Sequence, residues 1–367
     1  MITLAGIASG GRYGQNRAGA MSEPKRHHTL PQFYMERFAV DGRVDVVDRD
    51  DPAKFFNAKP RNVLREKHFY SVETDDGRDA SLEKMFATQV EGPAAAAFKR
   101  VFDDGYSLDA PGRRAAISLF LAFQCVRGPG TRRDLVQQHE TAAKAIAEFA
   151  TPESLRSHLE KRGETITDEQ MADVAKYAHL GQYELMAERA AELHLDILVK
   201  HALEMVPFIA RRTWVVLEFG APLLLTSDEP VGYVGQDIDE PGDAQGVAGS
   251  PQLVFPIDPC RALLMIRPDM PAESGRIMAD RRSADVVNRH VAFNATRSLV
   301  RRPGTDPLAG LTVPTKAPAS FSIGNMILFQ PFSSEKARAR VRAQVERGEM
   351  PFRAFPFDLT PPKRGET

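Results

Sequence analysis

Two adjacent histidines, His27 and His28, follow a basic pair near the start of the chain and precede the aromatic run Phe33–Phe38. Histidine has an unperturbed pKa close to neutrality, so an imidazole here can serve as a general acid, a general base or a ligand. Adjacent side chains point in different directions, and we expect at most one of the two to face a site. The pair can equally belong to a solvated basic segment or cap a helix.

A second candidate is the acidic pair Asp228 and Glu229, which directly follows the strand-like run Leu223–Ser227. A carboxylate that projects from the end of a strand is well placed for catalysis or metal binding. Turn chemistry also explains it, because an aspartate ahead of Pro230 is typical of an Asx-type turn. The sequence therefore leaves a catalytic and a structural interpretation of Asp228 open.

Four further polar residues stand on or beside predicted helices: Glu91, Gln124, Arg127 and Asn288. Gln124 and Arg127 are three residues apart and share one face at the end of an apolar helix. An arginine there complements the helix dipole, and it can also bind phosphate or carboxylate through two nitrogens. Glu91 adjoins a predicted kink at Gly92–Pro93, and Asn288 lies on a helix that precedes Arg297.

Familiar catalytic and cofactor motifs are missing from the sequence. It contains no HExxH, HxH or CxxC metal pattern, no phosphate-binding P-loop, no GxGxxG after a strand and no GxSxG turn. Nucleotide-binding and serine-hydrolase interpretations therefore lack support. The identity of any cofactor and the dependence on a metal are left unknown.

Composition narrows the class of partners. The 48 basic and 49 acidic residues leave a net charge of −1, which argues against a general attraction to nucleic acid or membrane but not against a local basic patch. The two cysteines lie far apart, which favours free thiols in a reducing, cytoplasmic setting. No apolar run approaches the roughly 20 residues that span a bilayer. A nucleic acid or another phosphate-containing ligand stays open, and the oligomeric state is unknown.

The chain divides by composition. Residues 1–20 are rich in glycine and small residues, and we expect them to be disordered or an over-called start ahead of Met21. Residues 21–350 are expected to form a single α+β domain, with a helical part over about 79–206 and a sheet-rich part over about 207–301. Residues 351–367 are expected to form a loose tail.

Within that domain the patterns predict a strand over 43–48 and an apolar, central helix around Ile117–Phe123. Further strands are predicted near 213–219, 223–227, 253–257 and 262–266, the first two as a hairpin. Residues 235–250 are predicted to be an exposed loop, and Ser283 to cap a late helix. The fold class is therefore α+β, with a mostly helical layer packed on a small, largely antiparallel sheet.

One ordered series of residues resembles the bacterial family catalogued as domain of unknown function 4238. The series comprises His27-His28 with Pro31-Gln-Phe-Tyr, Glu83, Glu91-Gly92, Phe120–Gln124 with Arg127 and Pro129, Thr226–Asp228 with Pro230, and Asn288 with Arg297. Two positions depart from the pattern: Gly128 replaces an expected Thr or Ser, and Glu229 replaces a common Asn. The resemblance runs from about Lys25 to about Arg301 and implies a widespread intracellular bacterial protein with no established reaction.

Two functions from different classes are compatible with these residues. In the first, the protein is a hydrolase acting on a phosphate ester or nucleic acid. His28 is then the general acid or base, Asp228 and Glu91 are carboxylate partners or metal ligands, and Arg127 binds an anion. Gln124, Asn288 and His27 would contact the substrate. In the second, the protein is a non-catalytic binding or regulatory protein, and the same residues form a buried polar network. Whether it is an enzyme is left uncertain.

Overall fold

The structure is a computed structural model, and it describes residues 26–67, 69, 72–74, 77–79, 81–105, 107–108, 110–133, 167–169, 190–239, 241, 246–313, 321–323 and 326–328. The chain divides into two compact units. The first contains residues 1–132 and 191–316, and the second contains residues 133–190 and 317–367. The predictions for residues 1–20, for the tail after 350 and for most of the helical part between 131 and 189 lie outside the described residues.

The histidine pair lies on a short strand, β1 (Arg26–His28), which pairs antiparallel with β4 (Arg65–Lys67). The predicted short helix follows as α1 (Gln32–Met35), entered through Pro31 and extended by a 3-10 turn to Phe38. The aromatic ring of Tyr34 stacks on Phe255 at 4.9 Å, while its hydroxyl bonds to Thr226 and to a backbone carbonyl. The helix therefore ties the start of the chain to two different sheets.

A long helical segment follows and supplies the position of Glu91. It comprises α2 (Ser81–Met85), a π-helical stretch (Phe86–Glu91), α3 (Gly92–Phe98) and a second π-helical stretch (Lys99–Asp103). Pro93 lacks an N–H, so the preceding turn loses a normal helical hydrogen bond and widens. The predicted kink is thus realised as a π-helical turn that ends at Glu91.

The apolar helix α4 (Pro111–Val126) lies at the centre of the first unit. Every residue from Ala116 to Gln124 is buried, as expected for a helix that is apolar almost all round. It packs with the segment 81–103 and with α5 (Ala190–Ala210) into one core. α4 ends at the Gly128–Gly130 region, as the sequence predicted.

A five-stranded sheet separates two cores of the first unit. Its order is β12 (Gly275–Met278), β7 (Thr213–Glu218), β11 (Arg261–Ile266), β10 (Gln252–Asp258) and β9 (Gly232–Val234), and only the β12–β7 pair is parallel. One face carries Trp214, Phe255 and Met265 toward the helical core. The other face packs on α7 (Arg281–Asn294) through Val215 and Val254.

A second sheet of four antiparallel strands corrects the predicted hairpin. Its order is β3 (Phe55–Ala58), β2 (Val44–Asp48), β13 (Ser298–Arg301) and β8 (Thr226–Ser227). β7 and β8 therefore belong to different sheets and do not pair. The connection between them is bound to the β10–β11 turn, since the N–H groups of Phe219 and Leu224 donate to Cys260 and Pro259 carbonyls.

Two other predictions are corrected. The described residues of the loop predicted over 235–250, namely 235–239, 241 and 246–250, are only partly exposed. They include a short helix, α6 (Gly246–Gly249), and the carbonyls of Val247 and Ser250 accept hydrogen bonds from buried Arg212. α7 is capped by Asp280, whose carboxylate accepts from the N–H of Ser283. Aspartate and serine are both good N-caps, and here the earlier one starts the helix.

Two small hairpins complete the described elements: β5 (Val72–Thr74) with β6 (Gly77–Asp79), and β14 (Phe321–Ile323) with β15 (Met326–Leu328) in the second unit. The α+β class is confirmed, with more extensive sheets than predicted. None of the helices that the structure describes is both long and apolar enough to cross a membrane.

Candidate functional site

Arg127 lies at the C-terminal end of α4 and joins three elements. Its Nη1 donates to Glu91 Oε1 at 2.9 Å, and its Nη2 donates to the backbone carbonyl of His28 at 2.8 Å. The guanidinium lies over the Phe86 ring at 5.3 Å, and the residue is 2% exposed. The structure therefore brings Arg127, Glu91 and the His28 backbone together, with the charged group committed to protein acceptors.

His27 is fully buried and contacts a carboxylate that the predicted site did not include. Its Nε2 lies 3.0 Å from Glu83 Oε2, at the start of the helical segment. Glu83 belongs to the ordered series that resembles the family, so that series contained a signal for this pair. The His27–Glu83 contact links β1 to α2.

The imidazole of His28 lies on the other side of β1, as expected for adjacent residues of a strand. Its pKa is lowered to about 4: burial is the largest cause, the positive charges of Arg65 and Arg127 act in the same direction, and the charge of Glu91 opposes them. Its Nδ1 is buried and makes no hydrogen bond to a described residue. The ring is therefore neutral near pH 7.

Asp228 follows β8 directly, as predicted, and its carboxylate is occupied by backbone donors. Oδ1 accepts from the N–H of Thr296 at 2.9 Å, and Oδ2 accepts from Arg297 at 2.8 Å and Ser298 at 3.2 Å. The residue is 3% exposed. These donors form the connection between α7 and β13, so the carboxylate fixes the point where the chain enters the four-stranded sheet.

Glu229 is the second half of the acidic pair, and no role of its own was predicted for it. Its Oε1 accepts from the N–H of Thr131 at 3.1 Å. The Glu229 side chain also packs directly against the loop Gly128–Gly130 that follows α4, called the glycine loop below. Thr296 contacts the same loop at Gly130. Arg127, the glycine loop, Glu229 and Asp228 therefore form one continuous polar region that joins α4 to the α7–β13 connection.

Asn288 is buried on α7 and belongs to the second core. Its Oδ1 accepts from the N–H of Leu225 at 3.1 Å, and its Nδ2 donates to the carbonyls of Leu223 and Pro307 at 2.8 and 3.2 Å. Three of the four hydrogen bonds that an amide can make are satisfied by backbone. Asn288 thus holds the strand that leads to Asp228 against α7.

Gln124 differs from the other predicted residues because its side-chain amide is unsatisfied. It is 2% exposed, and neither its Nε2 nor its Oε1 makes a hydrogen bond to a described residue. A buried amide without partners costs about 1–3 kcal/mol. This residue shares the helix with Arg127 without joining its contacts.

None of the predicted residues lines a cavity that the structure places between Arg37 and Arg302. Among the described residues, no group of three or more His, Cys, Asp or Glu side chains is arranged to hold a metal ion. The arrangement thus links secondary structure elements through buried charges and backbone groups.

These features define a layered α+β protein in which buried polar side chains join the helices to two sheets. The chain belongs to the family described as protein of unknown function, DUF4238, whose model matches residues 26–305. That range covers the histidine pair, the glycine loop, the acidic pair and Asn288. No curated protein and no solved structure matches the chain.

Proposed function

We propose that this protein is a non-catalytic binding or regulatory protein in which His27, Glu91, Arg127, Asp228 and Asn288 form a structural polar network. The observation that carries the proposal is the Asp228 carboxylate, which accepts three backbone N–H groups from residues 296–298. These bonds take three of the roughly four acceptor sites of a carboxylate, and the residue is buried, so little of the group is open to a substrate.

The basic candidates support the same proposal. An arginine that binds a substrate anion presents its N–H groups to the ligand, but Arg127 directs Nη1 to Glu91 and Nη2 to a carbonyl. A general base works best when its pKa lies near the working pH, and the pKa of His28 is lowered to about 4. A hydrolase would need these groups to be available, so the binding role fits their contacts better.

The proposal is tested by replacing Asp228. Loss of a buried carboxylate leaves three N–H groups without acceptors, so we expect Asp228→Ala to lower the free energy of unfolding by about 3 kcal/mol. Asp228→Asn should be nearly as damaging, because one carbonyl oxygen replaces two carboxylate oxygens. Urea unfolding, monitored by circular dichroism, measures the free energy of unfolding of both variants. Asp269→Asn is the matched control, since Asp269 is exposed and should tolerate the change.

The hydrolase alternative predicts a different result. If Asp228 is catalytic, Asp228→Asn leaves the unfolding curve unchanged and abolishes hydrolysis of a generic phosphate ester or of single-stranded RNA by the purified protein. Turnover by the parent that is lost in Asp228→Asn, with stability retained, would overturn the proposed function.

A further inference from the structure

A cavity of about 570 Å³ opens in the first unit, away from the residues of the polar network. Its wall is formed by the β10–β11 turn, by Arg37 after α1, by Asp103 at the end of the second π-helical stretch and by Arg302 after β13. This volume falls within the range of small-molecule sites, about 300–1,000 Å³. The cavity is therefore large enough to hold a small molecule.

Two arginines of the wall are paired with two aspartates. Arg37 donates from both Nη atoms to the Asp103 carboxylate, at 3.1 and 2.7 Å. Arg261 bridges the two acids, with Nε at 2.7 Å from Asp258 Oδ2 and Nη2 at 3.0 Å from Asp103 Oδ1. These four charges balance and hold one another in fixed positions.

Arg302 adds a third positive charge that the wall does not balance. Its guanidinium makes no ion pair or hydrogen bond to any residue that the structure describes. Its backbone is fixed nonetheless, because its carbonyl accepts from both the N–H and the hydroxyl of Thr305, at 3.2 and 2.7 Å. Pro303 and Gly304, with a φ of +79° at the glycine, shape this turn. The unpaired guanidinium is thus presented from a rigid position.

Cys260 lines the same cavity, on the β10–β11 turn. Burial raises the pKa of this thiol, the charge of Asp258 adds to that effect, and Arg302 and Arg261 oppose it. Because Arg302 acts electrostatically on Cys260, the thiol can report on whatever neutralises or covers that guanidinium.

We propose that this cavity binds a small molecule carrying an oxyanion, either a carboxylate or a phosphate, and that Arg302 is the residue that binds the oxyanion. A guanidinium matches the geometry of both groups and can bind them through two parallel hydrogen bonds. The surplus charge of the wall favours a ligand with a net negative charge. The inference names a ligand class for the proposed binding function, but it involves none of the network residues.

Alkylation of Cys260 by iodoacetamide tests the site. The experiment uses full-length protein with Cys125→Ser, so that Cys260 is the one remaining cysteine of the chain. Inorganic phosphate and succinate are the two probes, each titrated at constant ionic strength with chloride. We expect one of them to slow alkylation saturably, by about tenfold at ten times its Kd, because only the free protein reacts.

Arg302→Gln should abolish that protection, and Arg211→Gln, which removes an exposed arginine at the end of α5, should leave it intact. Should Arg302→Gln fail to fold, Arg302→Lys serves instead and should weaken protection, because an ammonium lacks the paired geometry. Absence of protection in the parent, or equal protection in the Arg302 and Arg211 variants, would overturn the proposal. Both results leave the test on Asp228 unaffected, so the two proposals fail separately.

Discussion

Gly128 and the side chain of Glu229 occupy adjoining space so closely that a Cβ atom at position 128 would overlap the Glu229 side chain. Glu229 is buried and held by the N–H of Thr131, so it has little freedom to move away. The resemblance to the family predicts Thr or Ser at 128 and Asn at 229, so both residues differ from that expectation. The long acidic side chain uses the space that the missing side chain at 128 provides.

The pair makes a prediction that a double-mutant cycle can test. Gly128→Ser should destabilise the protein by about 1–3 kcal/mol, the usual cost of forcing extra atoms into a packed site. Glu229→Asn shortens the opposing side chain, so the double variant should recover most of that loss. Urea unfolding of the parent, the two single variants and the double variant gives the coupling energy. Additive effects would mean that the two departures are unrelated.

Arg127→Met should be strongly destabilising, by about 3 kcal/mol or more, because it leaves the Glu91 carboxylate and the His28 carbonyl without their donor. Arg127→Lys should recover little, since one ammonium cannot reproduce the two directed N–H groups. Thermal unfolding measures both. The exposed pair of Arg297 and Glu66, 3.6 Å apart, supplies the control: Arg297→Lys should cost less than about 1 kcal/mol. Similar effects at both arginines would contradict the role given to Arg127.

The lowered pKa of His28 predicts a pH dependence of stability. In the unfolded chain the imidazole titrates near 6.5, whereas in the folded protein its pKa is about 4. Between these values the unfolded state binds more protons, so stability is full above pH 6.5 and falls as the pH drops toward 4. Unfolding midpoints measured at pH 7.5 and 5.0 should differ less in His28→Gln than in the parent. If the midpoint shifts equally between the two pH values in the parent and in His28→Gln, groups other than His28 cause the pH dependence.

Gln124→Met should stabilise the protein by about 1 kcal/mol, because a thioether of similar length removes two buried polar atoms that have no partners. Gln124→Ala provides the comparison, since it removes the same polar atoms but leaves a cavity. Chemical unfolding distinguishes the two variants. A loss of stability in Gln124→Met would show that the amide is satisfied in solution.

Leu121→Asp should abolish soluble expression, because residue 121 is fully buried at the centre of α4. Ala115→Asp is the control on the same helix, at an exposed position in its N-terminal half. Comparing soluble and insoluble fractions after expression measures the effect. A soluble, cooperatively folding Leu121→Asp variant would contradict the placement of α4 in the core.

Local patterns predicted the elements whose signals lie within a few residues. An almost unbroken apolar run indicated α4, and short runs of strand-like composition indicated β2, β10 and β11. The error at β7 and β8 arose because sheet membership depends on distant partners. A connection that contains Gly220 and Pro222 is typical of a hairpin. The residues on either side of it, Phe219 and Leu224, instead donate hydrogen bonds to the β10–β11 turn.

The candidate site shows the same division. The ends of elements were recognisable, so Arg127 and Asp228 were singled out, but the acceptors and donors of their side chains come from residues 91, 28 and 296–298. These partners lie tens of residues away in the sequence, so the spacing of neighbouring residues cannot reveal them. Glu83 and Glu229 were visible as acids, but their partners were not. The cavity around Arg302 had no local sequence signal, because five separate segments of the chain build it.

One edge strand of each large sheet carries exposed apolar side chains. These are Phe55 and Phe56 on β3 of the four-stranded sheet, and Ile277 and Met278 on β12 of the five-stranded sheet. An edge strand has unpaired backbone groups that a strand from another molecule can extend. The Arg276 guanidinium is directed to Glu218 and to a backbone carbonyl. A charged residue of this kind on an edge strand disfavours such pairing. Among the strands that the structure describes, we therefore expect these two four-residue edges to be where a strand of another molecule would pair at high concentration.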